Sequence, residues 1–309
     1  MQTSKESSPV LTNSRKDVLY FFLLNLASSF MLSAAHNVLH FVLDFHTTLI
    51  HFLHYFFTFL FMLLLYKSGC IPKTSVQYQN LYTPVGLKVL EVLLSSIVHS
   101  QNRTGALYTT RIFDFLFTLT ICFNVQKYVP SRVNGHPKAP LLIPLGLSVS
   151  LAWMEFGQME YTAFSLLCSP ILAIVRGLCV LKIQEAHIQM YQGHVEQFCL
   201  YYSGLVSLAL SFPAFISYAT SHVEVTASWE SIDYVLMGLS FLFMSSNVYS
   251  ELWLILNTNP RAFAAFDHTK NLGASIAQWI IQNMAHPNIL ALGGKIVAIA
   301  SIFRILTRL

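Results

Sequence analysis

The sequence predicts an all-α, polytopic membrane protein of about ten transmembrane helices. The chain of 309 residues is 54% hydrophobic and only 10% charged, with a mean hydropathy of +0.55. Soluble domains usually carry about a quarter charged residues. Apolar segments of about 20 residues, the length that crosses a bilayer, recur along the chain between polar residues, Pro or Gly.

Residues 1–17 are polar and form a predicted cytosolic N-terminal segment, without the apolar core of a cleaved secretory signal. Residues 18–309 form one predicted transmembrane domain. Its helices are expected at residues 18–42, 47–66, 79–101, 105–126, 140–156, 159–182, 197–219, 233–257, 261–284 and 287–306. The five cysteines are scattered and show no spacing typical of disulfides or metal sites, so we interpret them as packing residues.

Basic residues indicate the orientation of the helices, because cytosolic loops of membrane proteins are enriched in Lys and Arg. With a cytosolic N-terminus, the lumenal side receives only Arg103, and the acidic loop at 220–233 also falls there. The cytosolic side receives Lys5, Arg15, Lys16, Lys67, Lys73, Lys127, Arg132, Lys138, Lys182, Arg261, Arg304 and Arg308. Both termini are therefore predicted to be cytosolic, and no basic run suggests nucleic-acid binding.

Ten helices divide into two predicted repeats, over about residues 18–156 and 159–306. Because five is an odd number, two five-helix halves insert with opposite orientations, as in many secondary transporters. The sequence thus predicts two inverted repeats, in which the fourth and ninth helices are equivalent.

Five basic residues fall within predicted spans, where each costs roughly 2.5–3.5 kcal/mol at a helix centre. They are Lys88, Arg111, Arg176, Lys270 and Lys295. Arg176 lies near the cytosolic end of the sixth predicted helix, so we expect it to reach the interface. Arg111 and Lys270 lie deeper, about 9 and 14 Å into equivalent helices at a rise of 1.5 Å per residue. Two cations in one central cavity suit an anionic solute.

A structural interpretation of these two cations stays open. Asp114 follows Arg111 by three residues, and Asp267 precedes Lys270 by three. Residues at this spacing are neighbours on a helix surface. Each cation could therefore neutralise its own helix neighbour.

Histidines crowd the first two predicted helices, at His36, His40, His46, His51 and His54. The spacing is weakly similar to the histidine boxes of membrane di-iron enzymes, in which imidazoles bind metal. No two histidines are adjacent here, and the group lies toward the lumenal helix ends. We therefore predict no metal site, no cofactor and no enzymatic activity.

The ninth predicted helix resembles that of nucleotide-sugar and triose-phosphate transporters of the drug/metabolite transporter superfamily, since Pro260 opens it and Lys270 follows ten residues later. Similarity to the family's fourth helix lies in "SQNRTGALYTTRIFDFLFTLTICF", to its fifth and sixth in "PLLIPLGLSVSLAWMEFGQMEYTAFSLLCSPILAIVRGLCVLKI", to its seventh in "FCLYYSGLVSLALSFPAFIS" and to its tenth in "PNILALGGKIVAIASIF". Arg111 and Asp267 replace the customary Lys and Asn, which marks a divergent member. The pair Lys270-Asn271 is more similar to nucleotide-sugar carriers of the Golgi and endoplasmic reticulum than to the Lys-Arg of triose-phosphate transporters.

The resemblance implies a secondary antiporter in the Golgi or endoplasmic reticulum membrane. It would exchange an anionic sugar conjugate, most simply a nucleotide sugar, for a nucleoside monophosphate. Lys270 and Arg111 are expected to neutralise phosphate oxygens. A sugar-phosphate or organic-phosphate antiporter and a non-transporting membrane scaffold of the same fold are the alternatives.

Four further residues are expected to contact the solute. Asn271 and Tyr249 would hydrogen-bond the sugar or base, and Tyr201 and Tyr202 would offer ring faces for stacking. The expected partners are the solute, its counter-substrate and the lipid bilayer, but no nucleic acid; a homodimer is left open. Close approach of helices during alternating access is expected at small residues, namely Gly157, Gly273, Gly293 and Gly294.

Overall fold

The computed structural model describes residues 15–41, 47–72, 78–101, 113–128, 163–190, 194–220, 230–281 and 300. These residues form helices and short connections, and no strand occurs among them. The α-helices are α1 Arg15–Phe41, α2 Thr47–Lys67, α3 Tyr82–Gln101, α4 Asp114–Tyr128, α5 Ala163–Met190, α6 Val195–Thr220, α7 Ser231–Asn257 and α8 Pro260–Ile281, and a 3-10 helix at Tyr78–Leu81 precedes α3. The all-helical prediction is confirmed for this part of the chain.

Five helices within the described ranges are long and apolar enough to cross a membrane. These candidate spans are Thr47–Lys67, Tyr78–Val98, Leu166–Gln189, Val195–Ala219 and Gly238–Asn257. The predicted spans at 140–156 and 287–306, apart from residue 300, and the start of the span at 105–126 lie outside the described residues. A polytopic membrane protein is compatible with this architecture, while the total of ten spans stays a prediction.

Local sequence signals explain where two of the helices end or begin. After Lys67, Gly69 adopts a left-handed conformation with φ of 81°. The amide of Cys70 bonds the carbonyl of Leu65 at 3.0 Å and that of Gly69 bonds Tyr66 at 3.2 Å, a Schellman arrangement that satisfies terminal carbonyls of α2.

The start of α8 has an N-terminal cap. The Asn259 side chain accepts a hydrogen bond from the amide of Arg261 at 2.9 Å. Pro260 occupies the first helical position, where its missing N–H costs nothing. This cap fixes the start of the helix that carries Asp267 and Lys270.

Helix α6 shows the two-sided pattern of a membrane helix. Leu208, Phe212 and Phe215 lie on one exposed face at spacings of three and four residues. On the opposite side, Val206 and Leu210 are fully buried in the main hydrophobic core. The exposed apolar stripe is of the kind that faces lipid.

Helix α5 differs most from its prediction, since it ends at Met190 rather than near Lys182. The apolar run does stop near Lys182, but the helix continues because Ile183 and Ala186 pack into the core. Gln184, buried between them, donates hydrogen bonds to the carbonyls of Ile255 and Thr258 at the end of α7. The longer helix places Arg176 near its middle.

The helices pack in a pattern that brings α3, α4, α5, α7 and α8 around one region. Helix α2 packs along α6 and α7, α1 packs along α7 and α8, and α5 packs along both α3 and α4. Helix α4 also contacts α8, and α5 contacts α7. The ionisable side chains of these five helices consequently meet.

Glycines allow two of these close contacts. A Cβ atom on Gly204 would lie 2.9 Å from the Phe59 ring, and one on Gly177 would lie 2.9 Å from Cβ of Thr120. Both distances are too short for real carbon contacts, so the α2–α6 and α4–α5 approaches depend on glycine. Of the glycines expected in this role, Gly157, Gly293, Gly294 and the surroundings of Gly273 lie outside the described part of the chain.

Candidate functional site

An arginine and an aspartate from distant parts of the chain form the centre of the candidate site. Nη2 of Arg176 on α5 donates hydrogen bonds to both carboxylate oxygens of Asp267 on α8, each at 2.6 Å. Nη1 of Arg176 lies 3.9 Å from Oδ1 of Asp114, the first residue of α4. One guanidinium therefore links three helices.

The expectation that Arg176 reaches the interface is wrong. Residue 176 lies at the middle of the candidate span Leu166–Gln189, because α5 continues past Lys182. Its side chain turns to Asp267 rather than along the helix toward the membrane surface. At this depth a charge requires a partner, and Asp267, with a side chain only 1% exposed, supplies it.

Lys270 is held by two carboxylates. Its Nζ lies 2.9 Å from Oδ1 of Asp267, three residues earlier, and 2.7 Å from Oε2 of Glu251 on α7. The open interpretation in which Lys270 neutralises its helix neighbour is therefore confirmed for that pair. Arg111 lies outside the described residues, so its pairing with Asp114 stays a prediction.

His268, next to the central aspartate, is held by buried neighbours on α4. Its Nε2 lies 2.7 Å from the hydroxyl of Thr118, and its Nδ1 lies 4.0 Å from Oδ2 of Asp114. The Phe117 ring packs edge-on against the imidazole, and the Arg176 guanidinium lies 5.0 Å from the centre of the same ring. These contacts fix α4 against α5 and α8.

A further ion pair on α3 borders this group. Nζ of Lys88 lies 2.8 Å from Oε1 of Glu91, on the helix that packs along α5. We call the seven charged residues the central charge cluster: Lys88, Glu91, Asp114, Arg176, Glu251, Asp267 and Lys270. Three bases face four carboxylates in this described set, so the cations are compensated internally.

The central charge cluster is partly accessible. The side chains of Arg176 and Glu251 are 22% and 24% exposed, and that of Lys270 is 11% exposed. The side chain of Asp267, which Arg176 and Lys270 contact, is only 1% exposed.

The other predicted binding residues lie at different distances from this cluster. The Asn271 amide lies within reach of Asp267, with Nδ2 3.5 Å from Oδ2. The Tyr249 hydroxyl donates to Glu196 at 3.2 Å, at the contact of α6 and α7. The structure therefore places Asn271 beside the central aspartate and joins Tyr249 to the start of α6.

The two neighbouring tyrosines of α6 have different surroundings. Tyr201 is partly buried and packs edge-on against Tyr78. Tyr202 is fully buried, stacks on Phe198 and lies edge-on to Tyr55. In this conformation Tyr202 is a packing residue, and its contact with a solute stays a prediction.

Two side chains of the histidine-rich segment are described. His51 and His54 on α2 lie edge to face with ring centres 5.7 Å apart. Within the ranges that the structure covers, no group of three or more His, Cys, Asp or Glu side chains has the arrangement of a metal site.

Comparisons with known proteins describe the fold but not the function. No protein-family model and no curated protein matches the sequence. Among 22 matching chains of solved structures, one crystal structure of a protein superposes with a TM-score of 0.62 at 11% sequence identity. The match covers 92% of this chain and 96% of that chain. At such low identity, the likeness shows a shared fold alone.

Proposed function

We propose that the chain is a secondary antiporter. It exchanges an anionic sugar conjugate, namely a nucleotide sugar, for a nucleoside monophosphate. The observation that carries this proposal is the central charge cluster, to which five helices contribute. Charged side chains at the middle of membrane spans are costly and mark solute pathways or water-filled cavities. The side chains of Arg176 and Glu251 are 22% and 24% exposed, which supports a hydrated pathway beside them.

The pairing of the helices supports an inverted-repeat transporter. In that arrangement α1, α2, α3 and α4 correspond to α5, α6, α7 and α8. If each helix is replaced by its counterpart in the other set, the α1–α7 contact becomes α5–α3, the α1–α8 contact becomes α5–α4, and the α2–α7 contact becomes α6–α3. All of these contacts occur. The α2–α6 and α4–α8 contacts are unchanged by this replacement. A two-fold relation between the halves produces this pattern.

Alternating access follows from these contacts. The central charge cluster joins helices of both proposed repeats, since α3 and α4 belong to the first and α5, α7 and α8 to the second. Rocking of one repeat against the other would exchange its ion pairs. A solute that binds one arrangement more tightly than the other would drive the exchange.

The proposed location is the Golgi or endoplasmic reticulum membrane, with both termini cytosolic. The excess of Lys and Arg in the predicted cytosolic loops supports this orientation. The pair Lys270-Asn271 supports a nucleotide-sugar carrier over a triose-phosphate carrier through its resemblance to the former. The same cations would also suit the alternative, an antiporter for a sugar phosphate.

A non-transporting membrane scaffold of the same fold is the second candidate. It is favoured by one observation, the internal compensation of Arg176 and Lys270 by Asp267 and Glu251. Ion pairs of this kind can hold helices together without any solute. Transport measurements separate the two candidates.

Counter-flow in proteoliposomes tests the proposal. Vesicles that contain the purified protein are preloaded with nucleoside monophosphates or inorganic phosphate and challenged with pooled nucleotide sugars and sugar phosphates. We expect wild-type uptake of one class, its loss in Lys270→Ala, and its retention in the matched control Lys182→Ala, which removes a partly exposed lysine of α5 that pairs with Glu185. A folded wild type without uptake of either class supports the scaffold instead.

A further inference from the structure

Asp267 has the surroundings of a bound anion rather than of a simple partner in an ion pair. Its Oδ1 contacts Nη2 of Arg176 at 2.6 Å and Nζ of Lys270 at 2.9 Å. Its Oδ2 contacts the same Nη2 at 2.6 Å and faces Nδ2 of Asn271 at 3.5 Å. Two cations and an amide from two helices thus converge on one carboxylate. This set of donors also suits the oxygens of a phosphoryl group.

We propose that Arg176, Lys270 and Asn271 form an oxyanion-binding site for the phosphoryl group of the solute, and that Asp267 occupies this site when no solute is bound. The inference rests on the proposed function, because it deepens the assignment of the solute site. It places Arg176 beside Lys270 as a cation of the site.

The charges of the described residues favour such a replacement. Three bases already face four carboxylates in the central charge cluster, so an added anion would increase the excess of negative charge within this described set. Movement of a carboxylate away from the cations would offset that excess. Asp267 is the carboxylate that touches both Arg176 and Lys270, and its withdrawal exposes both at once.

The exposed fractions of the side chains agree with this replacement. Arg176 and Lys270 are 22% and 11% exposed, whereas Asp267 is 1% exposed. The two cations are therefore more accessible to an incoming phosphoryl group than the carboxylate that they hold. Glu251, which holds Lys270 from α7 at 2.7 Å, is the second carboxylate that this group must displace.

Competition between Asp267 and the phosphoryl group makes the conformational change of the carrier depend on bound solute. With Asp267 in the site, α5 and α8 are joined directly; with a phosphoryl group bound, they are joined through the solute. An empty carrier therefore stays in the arrangement held by its internal ion pair, as obligatory exchange requires.

Phosphate binding to the purified, full-length protein tests the inference without transport. The probe is radiolabelled inorganic phosphate, measured by equilibrium dialysis at constant ionic strength with chloride as the replacement anion. We expect Asp267→Asn to bind phosphate about tenfold more tightly than wild type, because the competing charge is gone. Adding Arg176→Gln to that variant should reverse the gain. Glu185→Gln, which removes an i,i+3 partner of Lys182 elsewhere on α5, should bind as wild type does.

Arg176→Lys provides a second variant if Asp267→Asn does not fold. It keeps the positive charge but replaces the planar guanidinium, so phosphate binding should weaken about fivefold. Unchanged binding in Arg176→Lys, no gain in a folded Asp267→Asn, or a gain that persists without Arg176 would overturn the inference. Counter-flow that persists in the Arg176 variants would contradict the proposed oxyanion site but not the proposed antiporter. Phosphate binding as expected, together with a wild type that shows no counter-flow, would contradict the antiporter but not the site.

Discussion

Arg176 on α5 and Asp267 on α8 are joined by two hydrogen bonds of 2.6 Å across 91 residues of sequence. The pair links α8 to the middle of the candidate span Leu166–Gln189, with Asp267 buried and Arg176 partly exposed. It explains how a basic residue is accommodated at this depth in an otherwise apolar helix. It also makes the stability of the protein sensitive to either partner alone.

Removal of Arg176 and removal of Asp267 should have non-additive effects on stability. Arg176→Gln leaves Asp267 with a reduced set of partners in a buried place, and we expect a loss of about 3 kcal/mol in the free energy of unfolding. In Arg176→Gln/Asp267→Asn the uncompensated charge is gone. The combined loss should fall short of the sum of the single losses by roughly 0.5–3 kcal/mol. Thermal or denaturant unfolding in detergent measures this cycle, and additive losses would contradict a direct interaction.

Gly177→Ala should destabilise the contact between α4 and α5. The new methyl group would lie 2.9 Å from Cβ of Thr120 and 3.2 Å from the Phe117 carbonyl oxygen. Because backbone must shift, we expect a loss of about 1–3 kcal/mol. The matched control is Gly238→Ala, since a methyl group there meets nothing within 4 Å. Equal melting temperatures of the two variants would show that α4 and α5 do not approach so closely.

A polar contact between α1 and α7 should contribute to helix association. Nδ2 of Asn247 donates to Ser29 at 2.6 Å and to Ser28 at 3.3 Å, while Asn25 donates to Ser250 at 3.0 Å. Hydrogen bonds between membrane helices are worth about 0.6–2 kcal/mol.

Asn247→Ala should therefore lower the free energy of unfolding by about 1 kcal/mol. The control Ser246→Ala removes an exposed hydroxyl that bonds only the Leu242 carbonyl of its own helix among the contacts described. It should unfold as the wild type does. If both variants melt alike, the α1–α7 polar contact has no share in stability.

Substitutions of Tyr202 should separate packing from solute binding. The ring is fully buried against Phe198 and Tyr55, so Tyr202→Ala should cost about 3–5 kcal/mol in unfolding free energy. Tyr202→Phe keeps the ring and should keep most of the stability and the counter-flow. A folded Tyr202→Phe that loses uptake selectively would instead indicate that the hydroxyl contacts the solute.

The sequence predicted the ends of helices accurately where local signals mark those ends. The second helix, predicted at 47–66, spans Thr47–Lys67, and the ninth, predicted from 261, starts at Pro260. Gly69 and Asn259 mark these ends through local geometry that the sequence reveals. The end of α5 was not predicted, because the helix continues beyond the apolar run. Its last turns contain polar residues such as Gln184, which are buried by tertiary contacts.

The candidate site was predictable only within single helices. The contact of Lys270 with Asp267 follows from their spacing of three residues. The contacts of Arg176 with Asp267 and of Lys270 with Glu251 join different helices, so no local spacing indicates them. One signal could have found Arg176, namely its place at the centre of the long apolar stretch Leu166–Gln189.

The position of Asp114 has a consequence for how the chain is made. Membrane proteins are synthesised and folded from the N-terminus. Arg176 therefore enters the membrane long before Asp267, its main partner, exists. Asp114 precedes Arg176 and lies 3.9 Å from it in the finished protein. The nascent chain thus already contains a countercharge when the arginine is inserted, and Asp267 then arrives together with Lys270.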